Sequence, residues 1–109
     1  MWQRRGAWTG HGVTQTEPFI SDTGLLRLTW EAHGAAAAPP DAGTFRITLH
    51  SDVSGRPLAV AVDRQGQGRD VTYVTEDPRA FFLVIESTDL DWSVEVAEGI
   101  AATRVLPRR

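Results

Sequence analysis

The chain lacks three residue types altogether: its 109 residues include no cysteine, no lysine and no asparagine. Without cysteine there can be no disulfide framework, no thiolate metal site and no cysteine nucleophile, so packing alone must hold the fold together. Without asparagine there is no N-glycosylation sequon. These absences exclude the disulfide-stapled and cysteine-dependent classes of protein.

Charge of one sign is not concentrated anywhere either. The 11 basic residues, all arginine, stand against 14 acidic residues for a net charge of -3, and the two signs are interspersed along the chain. Binding of nucleic acid needs a concentrated positive surface. We therefore expect no nucleic-acid partner.

Long apolar runs are missing as well. No stretch approaches the length of a membrane span, and the two arginines of residues 1–6 are not followed by an apolar stretch. This start is neither a signal peptide nor a transit peptide. The sequence thus predicts no membrane span, and either a cytoplasmic protein or a domain cut from a longer exported chain.

Alternation of apolar and polar residues is the pattern that the chain does have. It is the period of a half-buried strand and not of an amphipathic helix. The alternating segments are residues 26–30, 45–49, 58–62, 71–73 and 92–96. Residues 81–85, Phe-Phe-Leu-Val-Ile, are instead continuously apolar, which predicts a central strand covered on both sides at the heart of the core.

Turn-forming clusters of Gly, Asp, Ser and Pro separate these segments. Residues 34–43 include a run of four alanines, but flanking glycines and a Pro-Pro pair favour a mobile loop over a helix. About seven short strands joined in this way predict an all-β fold, a small two-sheet antiparallel β-sandwich, with a small β-barrel as the alternative. We expect one domain over residues 1–109, in which 1–7 and 99–109 are flexible or edge segments; residues 103–106 are a candidate last strand.

The string from Trp8 to Phe19, W-T-G-H-G-V-T-Q-T-E-P-F, resembles the W-x-G-x-G-x-x-T-x-x-F opening of a small β-sandwich module of bacterial, often secreted or membrane-anchored, proteins. Later segments are also similar, among them a closing D-W-x-V-x-V at residues 91–96. The resemblance covers residues 8–97. It implies a β-sandwich that has no catalytic residues and whose role is unknown.

Residues 22–24, Asp-Thr-Gly, match the D-T-G motif of retroviral-type aspartic proteases, and the chain length suits one protomer of such a dimer. That chemistry needs two symmetry-related carboxylates that share a proton, with apolar segments that brace the active-site loop. The apolar lead-in at residues 18–21 is weak, and no bracing segment follows. Asp and Gly at a hairpin turn explain the triplet, so we expect no enzyme and keep the protease only as an alternative.

The other motifs also have simple structural interpretations. Residues 10–12, Gly-His-Gly, and 66–68, Gly-Gln-Gly, lie between predicted strands with no helix dipole to bind phosphate, so tight turns or bulges are expected. The three histidines, His11, His33 and His50, are not spaced to share a strand face, so we predict no zinc site.

Acidic residues at strand ends and turns raise the alternative of a calcium site. They are Asp52, Asp63, Asp70, Glu76, Asp77, Asp89 and Asp91. Capping of turns and solubility explain the same residues, and no spacing matches a dedicated calcium loop. We expect no cofactor.

The four tryptophans separate into two pairs. Trp30 and Trp92 fall on the apolar faces of their segments and are predicted to lie in the core. Trp2 and Trp8 lie outside the strongest alternation, and with His11 they are the candidate ligand-binding residues. For Trp8 the alternative is a buried plug that closes the sandwich.

A polar sheet face is the remaining surface that the alternation predicts. It comprises Arg27, Thr29, Glu31, Arg46, Thr48, Ser93 and Glu95. Opposite charges can pair across such a face, each pair contributing only about 0.2–1 kcal/mol, so we interpret it as solvated. The chain is thus predicted to be a non-catalytic binding or structural module with a protein or carbohydrate partner; a lectin-like carbohydrate-binding module is the more specific alternative, and the oligomeric state stays open.

Overall fold

The structure is a computed structural model that describes residues 1–100. The alternation of the sequence becomes strands in which every second side chain is buried, as in the run Phe45, Ile47 and Leu49, each with no exposed surface. The nine strands are β1 (Trp2–His11), β2 (Thr14–Gln15), β3 (Phe19–Ser21), β4 (Leu25–His33), β5 (Thr44–Ser51), β6 (Pro57–Gln65), β7 (Gly68–Thr75), β8 (Arg79–Thr88) and β9 (Asp91–Gly99). No helix capable of crossing a membrane is found among these hundred residues.

The strands form two antiparallel sheets. One has the order β1-β9-β4-β7, and the other has the order β2-β8-β5-β6, with β3 also paired to β8. The all-β, two-sheet antiparallel sandwich predicted from the alternation is therefore the fold. Nine strands replace the expected seven because β2 and β3 are too short to show a pattern, and because a bulge between Arg4 and Gly6 interrupts the alternation of β1.

The core lies between the sheets, and both predicted core tryptophans are in it: Trp30 is 5% exposed and Trp92 is 2% exposed. Strand β8 is central in its sheet, as expected for the continuously apolar segment. Its coverage differs from the prediction. Phe81 faces the core with no exposed surface, whereas Phe82 is on the outer face, where the His50 ring stacks on it at a centroid distance of 4.8 Å. The outer face of β8 is only partly covered, since Phe82 is 8% exposed and Val84 is half-buried.

The N-terminal segment and the long loop at residues 34–43 are both ordered by backbone hydrogen bonds. Residues 2–7 belong to β1, an edge strand. Residues 34–43 contain no helix, and the predicted mobile loop is in fact held to the β6–β7 turn by backbone hydrogen bonds from Gly66 to Gly43 and from Gln67 to Pro40. The candidate strand at residues 103–106 lies outside the described residues.

Candidate functional site

A groove crosses the outer face of the four-stranded sheet. Each strand contributes three consecutive residues to its lining: 7–9 of β1, 93–95 of β9, 29–31 of β4 and 69–71 of β7. The concavity has a volume of about 610 Å³, within the range of roughly 300–1,000 Å³ that is typical of ligand sites. We call it the outer groove.

The lengths of the outward-facing side chains explain the concavity. Two rows form the floor, because strand register places Ala7, Glu95, Thr29 and Val71 side by side, and Thr9, Ser93, Glu31 and Arg69 next to them. Five of these eight side chains are Ala, Ser, Thr or Val. The neighbouring rows include longer side chains, among them Arg27 and Tyr73 on one side and His11 and His33 on the other.

An aromatic wall lies on one side of the groove, one row of side chains beyond the residues that line it. Trp2 of β1 and Tyr73 of β7 come from opposite edges of the sheet, yet their ring centroids are 5.8 Å apart. The Arg27 guanidinium lies 4.5 Å from the Trp2 ring centroid, a cation–π contact. Trp2 is 37% exposed and Tyr73 is 60% exposed, so both rings offer surface to a ligand. Trp2, Arg27 and Tyr73 are called the aromatic wall below.

A polar row borders the groove on the other side. Asp91 of β9 is directly opposite His11 of β1 and also directly opposite His33 of β4. His11 Nδ1 lies 2.8 Å from Asp91 Oδ1. The two histidines belong to different strands, as their spacing predicts, but pairing with β9 brings these residues, 22 positions apart, to the same face of the sheet.

Charges of both signs lie around the groove. Arg69 is directly opposite Glu31 across β7 and β4, and Arg4 Nη1 lies 3.3 Å from Glu95 Oε2. These side chains are exposed, so each pair stabilises the fold by only about 0.2–1 kcal/mol. Asp70 also lines the groove, so the surface offers no excess of positive charge to a ligand.

The predicted ligand-binding residues do not form one site. Trp2 and His11 are on the same outer face but at opposite ends of β1, on opposite sides of the outer groove. Trp8 points the other way, packs against the core and contacts the Phe19 ring at a centroid distance of 6.0 Å. Its indole N–H donates to Glu17 Oε1. The alternative of a plug that closes the sandwich describes Trp8 better than a ligand platform.

The predicted polar face divides between the two sheets. Arg46 and Thr48 belong to β5 in the other sheet, where Arg46 Nη2 lies 3.1 Å from Asp63 Oδ2. The remaining members are on the outer face of the four-stranded sheet, and four of them line the outer groove. Sequence reasoning missed the groove because its depth depends on which strands become neighbours.

The triplet 22–24 forms the turn between β3 and β4. Asp22 is exposed, while the backbone N–H of Thr23 donates to Glu98 Oε2 at 2.6 Å. Gly24 has φ +74°, and a Cβ there would collide with the backbone carbonyl of Glu76, so the turn requires glycine. The buried carboxylate around which this turn is built is Glu98 and not Asp22.

Glu98 is the centre of a buried polar cluster on the inner face of β9. Its side chain has no exposed surface. Oε1 accepts a hydrogen bond from Arg5 Nε at 2.8 Å and lies 2.6 Å from Arg5 Nη2, and Oε2 accepts from Ser21 Oγ at 2.8 Å as well as from the Thr23 backbone N–H. Arg5 is the extra residue of the β1 bulge. Glu98, Arg5, Ser21 and Thr23 are called the Glu98 cluster below.

Sequence reasoning missed this cluster, although one signal for it exists. The alternation Trp92, Val94 and Val96 continues to Glu98 on the same, apolar face of β9. A carboxylate in such a position must be paired and hydrogen-bonded to be tolerated. The partners themselves could not be named, since Arg5 is 93 residues away.

Burial alone would raise the pKa of Glu98, because loss of water disfavours the charged carboxylate. Hydrogen bonds from Arg5, Ser21 and Thr23 act in the opposite direction and prevail, so the pKa falls from its ordinary value of 4.5 to about 2. The carboxylate is therefore charged at neutral pH, and its ionisation is coupled to folding.

Acid is expected to remove about 3 kcal/mol of stability through Glu98. Because the pKa is lower in the folded state, this contribution is fully present above about pH 4.5 and is lost as the pH falls towards about 2. Urea unfolding at a series of pH values, for the wild type and for Glu98→Gln, measures it. Other carboxylates are common to both proteins, so the difference in unfolding free energy between wild type and Glu98→Gln isolates the contribution of Glu98. If that difference does not change with pH, the acid sensitivity does not come from Glu98.

Metal ligation finds no support in the part of the chain that the structure describes, where no three His, Asp or Glu side chains could hold an ion. The acidic residues considered for calcium are instead dispersed, and some are paired: Asp63 with Arg46, and Asp77 with Arg79.

Of the two glycine motifs, 66–68 includes a tight turn with φ +86° at Gly66. Gly10 lies inside β1, directly opposite Trp92.

Comparison with known proteins gives no family assignment. No family model matches the chain, no curated protein matches it, and no solved structure matches it. The resemblance to the small bacterial module stays a prediction, and its string has one residue more between Gly12 and Thr16 than the module's opening. By its own geometry the chain is a two-sheet antiparallel sandwich with a groove across one outer face.

Proposed function

We propose that this domain is a non-catalytic binding module that holds its partner in the outer groove. The observation that carries the proposal is the short-floored concavity of about 610 Å³ beside an exposed aromatic wall. Binding sites characteristically combine a concave surface with aromatic rings and a few polar groups that fix orientation. The outer groove has each of these features.

The polar chemistry near the groove supports binding rather than catalysis. His11 and Asp91 border it as a hydrogen-bonded pair, but their side chains are 68% and 63% exposed. A catalytic imidazole is oriented by a carboxylate that is buried from water. Glu98, whose pKa is lowered to about 2, lies away from the groove on the inner face of β9, in a structural cluster.

Filling the groove is expected to abolish binding without unfolding the protein. Thr29 is exposed on the floor, in the interior strand β4, and Thr29→Tyr places a large side chain there with a residue type that strands favour. Thr48→Tyr is the matched control, because Thr48 is on the outer face of the interior strand β5 of the other sheet.

The experiment presents the three proteins, immobilised on a biosensor, to arrayed polysaccharides and to a purified-protein array. We expect the wild type and Thr48→Tyr to bind the same partner with similar affinity, and Thr29→Tyr to bind it at least about 10-fold more weakly. Mass spectrometry should show that the partner is chemically unchanged after binding. Equal binding by Thr29→Tyr, or a chemically altered partner, would overturn the proposal.

A further inference from the structure

We infer that the ligand of the outer groove is an uncharged linear polysaccharide that lies across the four strands. The inference rests on the proposed function and assigns its ligand class. It depends on the shape of the groove, its charge balance, its hydroxyl groups and the aromatic wall.

The shape indicates a chain rather than a compact molecule. The groove extends from β1 to β7, the two edge strands of the sheet. Three strand spacings make this width about 14 Å. A groove that reaches both edges lets a longer chain continue past the sheet on either side.

The charges around the groove exclude anionic ligands that are recognised mainly by their charge. Three arginines, Arg4, Arg27 and Arg69, stand there against four carboxylates, which are Glu31, Asp70, Glu95 and Asp91. An acidic polysaccharide or a nucleic acid would require an excess of positive charge. Single-stranded nucleic acid does stack on aromatic rings, but the grooves that bind it are positively charged, and this groove is not. An uncharged ligand is the class that this surface fits.

The remaining groups match sugar chemistry. Thr9, Thr29 and Ser93 present hydroxyl groups along the floor, and each hydroxyl can donate and accept a hydrogen bond, as sugar hydroxyls do. Trp2 and Tyr73 add flat apolar rings with a polar edge. Sugar rings offer both kinds of surface, since C–H groups cover their faces and hydroxyls surround them.

The test is isothermal titration calorimetry with soluble, uncharged hexasaccharides of the cellulose, xylan, mannan and chitin series, and with an alginate oligosaccharide as the acidic comparator. At least one uncharged hexasaccharide should bind, with an affinity that added salt does not change. Trp2→Ala and Tyr73→Ala should each weaken binding about 10-fold or more, as expected when an aromatic contact is removed. Thr48→Tyr should leave the affinity unchanged.

The outcomes separate the ligand class from the proposed function. If no uncharged hexasaccharide binds, or if only alginate binds and does so in a salt-dependent way, this inference is overturned. The proposed function would still stand if a protein partner binds the wild type and its binding is lost in Thr29→Tyr. If a hexasaccharide binds equally well to Trp2→Ala and Thr29→Tyr, the ligand lies elsewhere and both are overturned. Circular dichroism of each variant verifies that it is folded.

Discussion

Replacing Glu98 by glutamine is expected to lower the free energy of unfolding by about 3–5 kcal/mol, the usual result of removing one partner from a buried ion pair. Glutamine has nearly the same shape, but its amide nitrogen is a donor. Both carboxylate oxygens of Glu98 face donors, Arg5 on one side and Ser21 with Thr23 on the other. In either orientation the amide therefore places a donor against a donor, and the guanidinium of Arg5 loses its counter-charge.

The control for this prediction is Glu95→Gln in the same strand. Glu95 is also paired with an arginine, Arg4, but both side chains are well exposed, at 41% and 66%. Water and salt weaken such a pair, so we expect a loss of about 1 kcal/mol or less. Urea unfolding of the two variants gives the comparison, and equal losses would mean that the Glu98 cluster has no special structural role.

A double variant tests whether the cluster acts through charge or through hydrogen bonding. The combined substitutions Arg5→Met and Glu98→Leu remove both charges and fill a similar volume. The Thr23 N–H and the Ser21 hydroxyl would then lack their acceptor, which costs about 1–3 kcal/mol for a buried donor. We expect this double variant to be more stable than Glu98→Gln but less stable than the wild type.

Trp92→Ala is expected to destabilise the domain by about 3–5 kcal/mol, as large-to-small changes of buried aromatic residues do. Trp92 is 2% exposed, and its indole N–H donates to the backbone carbonyl of Gly12 at 3.3 Å. Gly10 is directly opposite in β1, where a Cβ would lie 2.7 Å from the Trp92 ring. Removing the ring would leave a cavity beside a glycine that has no side chain to fill it.

Trp2→Ala makes the same substitution in the aromatic wall, where the side chain is 37% exposed. We expect it to change the free energy of unfolding by about 1 kcal/mol or less. Chemical denaturation distinguishes the two tryptophans. Similar losses of unfolding free energy in the two variants would contradict the division between a core tryptophan and a ligand-facing one. The titration of Trp2→Ala with hexasaccharides depends on that division, because it requires the variant to be folded.

The sequence predicted the core more completely than the candidate site. Phe45, Phe81 and Trp92 belong to locally visible patterns, because an alternating or continuously apolar segment places its own residues inside or outside. The site residues have no such local signature. Thr29 and Ser93 read as ordinary solvated positions, and they become the floor of a groove only when β4 and β9 lie side by side.

Long-range register also accounts for two features that no local pattern shows. His11 and His33 look like isolated histidines in the sequence, because nothing within either segment indicates that both are opposite Asp91. The Asp-Thr-Gly triplet is a turn, as its residue types indicate. Its stabilising carboxylate comes from Glu98, which lies 75 residues beyond Thr23.

The sequence by itself determined the all-β class, the antiparallel sandwich, the main core positions and the turns, since apolar periodicity and turn-forming residues act over a few neighbouring residues. Only the tertiary structure decided that β1, β9, β4 and β7 adjoin in that order. That order places short side chains in adjacent rows between longer ones and brings Arg5 to Glu98. Contacts between strands far apart in the chain depend on register, and no local pattern specifies which distant strand will be the neighbour.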